Sequence, residues 1–305
     1  IALKAIAGHN VRHDQPVGIT GDSADLTAAS LSQSGGGSSV IGEDITTTSG
    51  AISFGGDLKL TGTPGEAIAL STNGAAGSDI TISGDITNTS GESLVFDSGN
   101  DGNISVTGAI GDLGTGGLTI SNANDATFTG SVTADSFTQS AGTGTTTFDG
   151  TLDLASTFAF SGNNLTLNGS GNTIDGAMTV TNSGVFTTGN SADLTAASLT
   201  QSGTGTSVIG EDITTTNGAI SFGGNLKLTG DQSEPIALST NGAAGSDITI
   251  SGDISNNDGE SLVFDSGNDG NISVTGDIGD LGTGGLTISN ANDATFTGSV
   301  TADSF

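Results

Sequence analysis

Residues 23–137 recur at 191–305, displaced by 168 positions with no insertion or deletion, and 102 of the 115 paired residues are identical. A fixed long period constrains architecture more than any local motif, because each copied unit must bury its apolar face against its neighbours. The chain divides accordingly into a divergent lead segment at 1–22, a first 168-residue unit at 23–190 and a partial second unit at 191–305. The lead segment keeps a trace of the repeat, since VGITGD from Val17 matches VFTTGN from Val185.

Inside the unit a shorter motif recurs: NISVTG at Asn103, DITISG at Asp79, DATFTG at Asp125, NLTLNG at Asn164 and the variant DLKLTG at Asp57. Apolar and polar residues alternate for a few positions before a glycine interrupts, which describes a short half-buried strand ending at a corner. The first apolar residue of each motif gives one series: Leu58, Ile80, Ile104, Ala126, Thr146, Leu165, Val185, Val208 and then Leu226, the image of Leu58. A second series runs Ile52, Ile68, Leu94, Leu118, Phe137, Phe158, Met178, Leu199 and Ile220. Each makes eight steps, so the first unit should hold eight coils with a mean of 21 residues. That is the coil length of a parallel β-solenoid. The expected fold is all-β, one continuous solenoid of about 14 coils. Coils spaced by roughly 4.8 Å would make a rod on the order of 65–70 Å long.

The alternation also names the core. In DITISG, Ile80 and Ile82 should point inward and Thr81 and Ser83 outward. All twelve aromatic residues are Phe, which has no polar group to satisfy and so suits filling of the interior. Asp57, Asp79, Asn103, Asp125 and Asn164 sit at equivalent motif positions. They are expected to form a ladder of turn residues bonding the backbone amides of neighbouring coils. The outward pairs Thr81/Ser83, Ser105/Thr107 and Thr127/Thr129 should form a two-file hydroxyl ladder, interrupted at Lys59, Asp149 and Asn168.

Charge restricts the partners. Thirty-three acids against four bases give a formal charge of −29, a surface that repels nucleic acid and anionic lipid and favours divalent cations. No stretch approaches the roughly 18 apolar residues of a membrane span, so membrane insertion is not expected. The chain starts at Ile1 and stops at Phe305, whose counterpart Phe137 runs on into TQSAGTGTTTFDG, so it reads as an excerpt of a longer protein.

Little in the sequence points to catalysis. DSGNDGNI, beginning at Asp97 and again at Asp265, carries the Asp, Asp and Gly of a calcium loop but lacks the closing Glu. It makes Asp97, Asp101, Asp265 and Asp269 the candidate Ca²⁺ ligands, against an ordinary Asp-Gly turn. No other cofactor is called for. His9 and His13 lie in the lead segment without a further His or Cys to complete a metal set. Glycan cleavage by paired carboxylates requires a singular site, whereas nearly every acid here has a copy 168 residues away.

The pattern SVTADSFTQSAGTGTTTFDGTLDL, set in long near-identical repeats, resembles the giant repeat exoproteins of Gram-negative bacteria, the filamentous-haemagglutinin-like and β-strand-repeat adhesins. The resemblance covers residues 23–305 and is one of style and period; no binding residue is carried over. It implies a right-handed parallel β-helix, export to the cell surface, and adhesive or fibre-forming work. The leading expectation is a structural segment of an extracellular fibre or stalk that associates with itself, end to end or side by side. The alternatives are a calcium- or glycan-dependent adhesin module contacting surface glycans or other cells and, third, a polysaccharide-cleaving β-helix enzyme.

Overall fold

The computed structural model describes the chain except for residues 1–9, 13–16, 22–23, 73, 112, 232–233, 241, 243–244, 257–258, 280 and 282–283. All regular structure among the described residues is β-strand, mostly in pieces of three to five residues. Such short strands follow from the motif, in which an alternating run of a few residues meets a glycine or Asx corner before it can lengthen. The chain forms two compact units, residues 1–155 and 156–305.

Within the first unit strands pair in parallel three positions apart, with the isolated bridge at Ile110 counted as a position, so three strands make one turn. One face carries Leu31, Ile52, Ile80, Ile104, Ala126 and Thr146 level with one another. The next carries Ser39, Leu58, Ile86, Ile110, Val132 and Leu152. On the third, Ile45 is level with Leu70, and Ile68, Leu94, Leu118 and Phe137 follow in register. The lead segment takes part, with Asn10–Arg12 against Ser32–Ser34 and Val17–Gly18 against Ser39–Val40.

The second unit repeats the scheme. Its faces carry Phe158, Met178, Leu199, Ile220, Ile248 and Ile272, then Leu165, Phe186, Ser207, Leu226 and Ile254, and then Leu194, Ile213 and Leu238. Two long strands, Asn172–Asn182 and Leu194–Ser202, each cross a corner and serve two faces.

The two marker series of the sequence are corrected at one place. Leu58 is level with Ile86, not Ile80, and Ile80 is level with Ile52, 28 residues earlier. The turn through TGTPGEA and STNGAAGSD is longer than its neighbours. A fixed spacing of about 21 therefore lands on the strand of the adjacent face, and parallel pairing lets the corner absorb the difference. Val185 and Val208 are each one residue from the levels set by Phe186 and Ser207. From Leu26 to its image Leu194 the chain passes 21 named strands, a further position at the Ile110 bridge, and one more because Asn172–Asn182 counts twice. The repeat is thus 23 strand positions long, which at three per turn is seven and two-thirds turns instead of eight. The number of fully stranded turns is about twelve, slightly below the fourteen expected. Seven are counted on one face of the first unit and five on one face of the second, which continues past Asn256 only as isolated bridges at Ile278 and Val300.

The interior is the one the alternation names. Ile80 and Ile82 are fully buried beneath a half-buried Thr81. Ten of the twelve Phe are buried, and in the first unit Phe128 stacks on Phe148 at 5.0 Å while Phe137 meets Phe148 edge-on at 5.2 Å. Each such side chain contributes about 1.5–3 kcal/mol by leaving water.

Candidate functional site

Function in a stacked scaffold is carried at corners and outward faces, since the interior is apolar filling. At one corner Asp79 Oδ1 accepts the backbone N–H of Asn103 at 2.8 Å, Asn103 Oδ1 that of Asp125 at 3.1 Å, and Asp125 Oδ1 that of Thr145 at 2.8 Å. Asn164 does the same for Val185 at 2.8 Å. Asp57 belongs to another corner, where it accepts from Asp85 N–H at 3.1 Å and Asp85 accepts from Ala109 N–H at 2.8 Å. Each side chain reaches one turn along and satisfies an amide at the break between strands, a charge-assisted bond where the acceptor is Asp.

Of the 13 differences between the copies two touch this ladder: Asn225 stands for Asp57 and accepts Asp253 N–H at 3.0 Å, and Asp277 stands for Ala109 and adds an acceptor. Asp277 Oδ1 accepts both the N–H (2.7 Å) and the Oγ–H (2.9 Å) of Ser299. The backbone bond first and the hydroxyl second hold its carboxyl below the usual range. Elsewhere in the second unit burial raises Glu211, helped by the charge of Asp193 and opposed by the backbone N–H of Asp212.

The four candidate calcium ligands fall in local turns. Asp97 Oδ1 accepts Gly99 N–H at 3.1 Å and Asp265 Oδ1 accepts Gly267 N–H at 3.1 Å. Both glycines are left-handed, at φ +70° and +68°, the conformation such a turn requires. Asp101 and Asp269 stand exposed beyond them. Among the described residues no three His, Asp or Glu converge on a common point. His9 and His13 lie outside the described residues.

A corner the sequence did not single out is more unusual. Asn88 Nδ2 donates to Glu92 O at 2.7 Å and Leu113 O at 3.2 Å, and its Oδ1 accepts Gly91 N–H at 3.0 Å. Asn256 repeats the clamp with Glu260 O at 2.6 Å and Gly259 N–H at 3.0 Å. Within the clamp the side chains of Glu92 and Glu260 are wholly buried, and none of their carboxylate oxygens has a hydrogen-bond partner.

The outward hydroxyls form a longer file than expected. In the first unit Ser32, Ser53, Thr81, Ser105, Thr127 and Thr147 are level with one another. In the second unit Thr179, Thr200, Ser221, Thr249, Ser273 and Thr295 are likewise level. Lys59 does not interrupt the first file, because it stands on a different face beside Val40 and Thr87. The exposed second file, Ser83, Thr107 and Thr129, ends at Asp149 as the sequence suggests.

Fold and corners together define the class: a three-sided parallel β-solenoid with Asx-laddered corners. No known family, curated protein or solved structure matches the chain.

Proposed function

We propose that the chain is a structural segment of an extracellular fibre or stalk at a bacterial cell surface, giving reach and rigidity. The observation that carries this reading is the distribution of change between the copies. None of the 13 differences falls on a residue buried in the first copy, and seven of them fall in the corner segments 63–67 and 87–90. Within 87–90 the residue left unchanged is Asn88, the clamp. Selection of that kind preserves stacking and leaves the surface of the turns free. Extracellular location and self-association belong to the same proposal, and the uncharged hydroxyl file of each unit is the strip along which two strongly acidic chains would repel least.

Labelling native cells with an antibody to residues 23–137 and imaging them by electron microscopy tests this. Label spaced along filaments that extend from the surface is the expected result. Label confined to the cell interior or to compact particles would overturn it.

A further inference from the structure

We propose that the face of the first unit carrying Lys59 and Asp153 binds the same face of a second copy of this chain, with the stacking directions of the turns antiparallel. The outward mid-strand residues of this face are Lys59, Thr87, Gly111, Thr133 and Asp153, level with one another in that order. Lys59, Thr133 and Asp153 each stand between two buried strand residues, which turns them outward. The strip is a charge palindrome: lysine at one end, aspartate at the other, and a threonine on either side of a central glycine. Rotated about a two-fold axis that lies along the strand direction at Gly111, it meets its own copy. Lys59 then stands opposite the partner's Asp153, Thr87 opposite the partner's Thr133, and Gly111 opposite the partner's Gly111. An isologous contact requires such self-complementarity. A parallel arrangement would oppose lysine to lysine and aspartate to aspartate.

Neither charge is used inside the chain. Among the described residues Lys59 and Asp153 have no ion-pair or hydrogen-bond partner, and the four steps between them along the stack amount to roughly 19 Å. The lysine is copied as Lys227 although its neighbours at positions 57 and 87 have changed. Nothing in the chain's own packing requires glycine at 111, where a Cβ would meet only Ile86 O at 3.4 Å. Its missing side chain leaves the second face room to approach.

The corner file two residues earlier fits the same rotation. It holds Asp57, Asp85, Ala109, Ser131 and Thr151. Asp57 comes opposite the partner's Thr151, Asp85 opposite the partner's Ser131, and Ala109 opposite the partner's Ala109, so in these two files no carboxylate meets a carboxylate. In the second unit the strip recurs as Lys227, Ser255, Gly279 and Thr301, but Asp277 replaces Ala109 and would face its own image. The contact therefore belongs to the first unit. The charge of −29 opposes association at long range, yet at about 0.15 M salt charges more than about 8 Å apart are largely screened and the facing strip decides.

The contact rests on the self-association part of the proposed function and gives it a face and a direction; the hydroxyl file is neutral, whereas this strip attracts its copy. Stalks rooted in one surface run parallel, so an antiparallel contact joins stalks from two facing surfaces. Five turns of short strands make a patch of roughly 24 by 10 Å, below the size of a standard interface, so the association is weak. The test is sedimentation equilibrium of the 305-residue chain at physiological salt, with carbodiimide coupling of lysine to carboxylate in a mixture of ¹⁴N and ¹⁵N chains. A monomer–dimer equilibrium is expected, with mixed-isotope peptides joining Lys59 to Asp153. Lys59→Asp and Asp153→Lys should each weaken dimerisation by about tenfold or more, the two together should restore it, and Ala109→Asp should weaken it. Should a single swap fail to fold, the wild-type cross-link still decides. Dimers whose cross-links omit Lys59 to Asp153, or a paired swap as weak as the single ones, would overturn the contact and leave self-association standing. A chain that stays monomeric at millimolar concentration would overturn both.

Discussion

Residues 110–137 and 278–305 are identical in sequence and are paired alike with the turn before them, yet they are buried very differently. Val132 is 1% exposed and Phe137 0%, while their images Val300 and Phe305 are 40% and 82% exposed. The first region is covered by Thr145–Phe148 and Leu152–Leu154, and the second holds the last strands of the sequence. The same side chains are core in one place and surface in the other. Burial in this fold is supplied by the neighbouring turn, as a one-dimensional stack requires.

The largest effect should come from the aromatic stack. Phe128→Ala is expected to cost about 3–5 kcal/mol, and Phe296→Ala less than about 1 kcal/mol, in chemical denaturation followed by hydrogen exchange. Equal costs would break the comparison. Next, appending residues 138–157 after Phe305 should cover the second region. Amide exchange across Leu286–Phe296 should then slow by about tenfold or more, towards that of Leu118–Phe128.

Smaller effects belong to the corners. Asp79→Ala removes the acceptor of Asn103 N–H and should cost about 1–2 kcal/mol, whereas Asp79→Asn should be nearly neutral because Asn103 and Asn164 already do this work. The smallest effects are pH-dependent and of opposite sign. Asp277 has a lowered folded value, so its contribution is present above the unfolded carboxylate value and is lost as pH falls through the folded one. Ala109→Asp should give the first copy the same bond to Ser131, and with it the same acid sensitivity, measured by thermal melts against pH. Glu211 has a raised folded value, so its contribution is greatest below the unfolded value and fades as pH rises through the folded one. Glu211→Gln should remove that dependence.

Much of this was legible in the residues. Strand positions, inward residues and the amide-binding Asx corners follow from alternation and from the chemistry of a short acceptor beside a glycine. Face assignment was not. Ile52, Leu58 and Ile80 begin short strands of the same alternating pattern, yet Ile52 and Ile80 share a face and Leu58 lies on another, so only pairing across a turn of unequal length could separate them. Glu92 was hidden by its polar surroundings in NTSGESL, although one signal was present: it shares the inward parity of Leu94 and Phe96. Parity, not composition, placed it inside.

The central claim is that three strands make a turn, so that Ser53 lies beside Thr81. The chain has no cysteine, which makes engineered pairs clean reporters. Neighbouring parallel strands about 4.8 Å apart bring paired Cα atoms within disulfide range. Under mild oxidation Ser53→Cys with Thr81→Cys, and Ser221→Cys with Thr249→Cys, should cross-link nearly completely, while Lys59→Cys with Thr81→Cys should not. Cross-linking of the Lys59 pair with failure of the other two would contradict the fold described here.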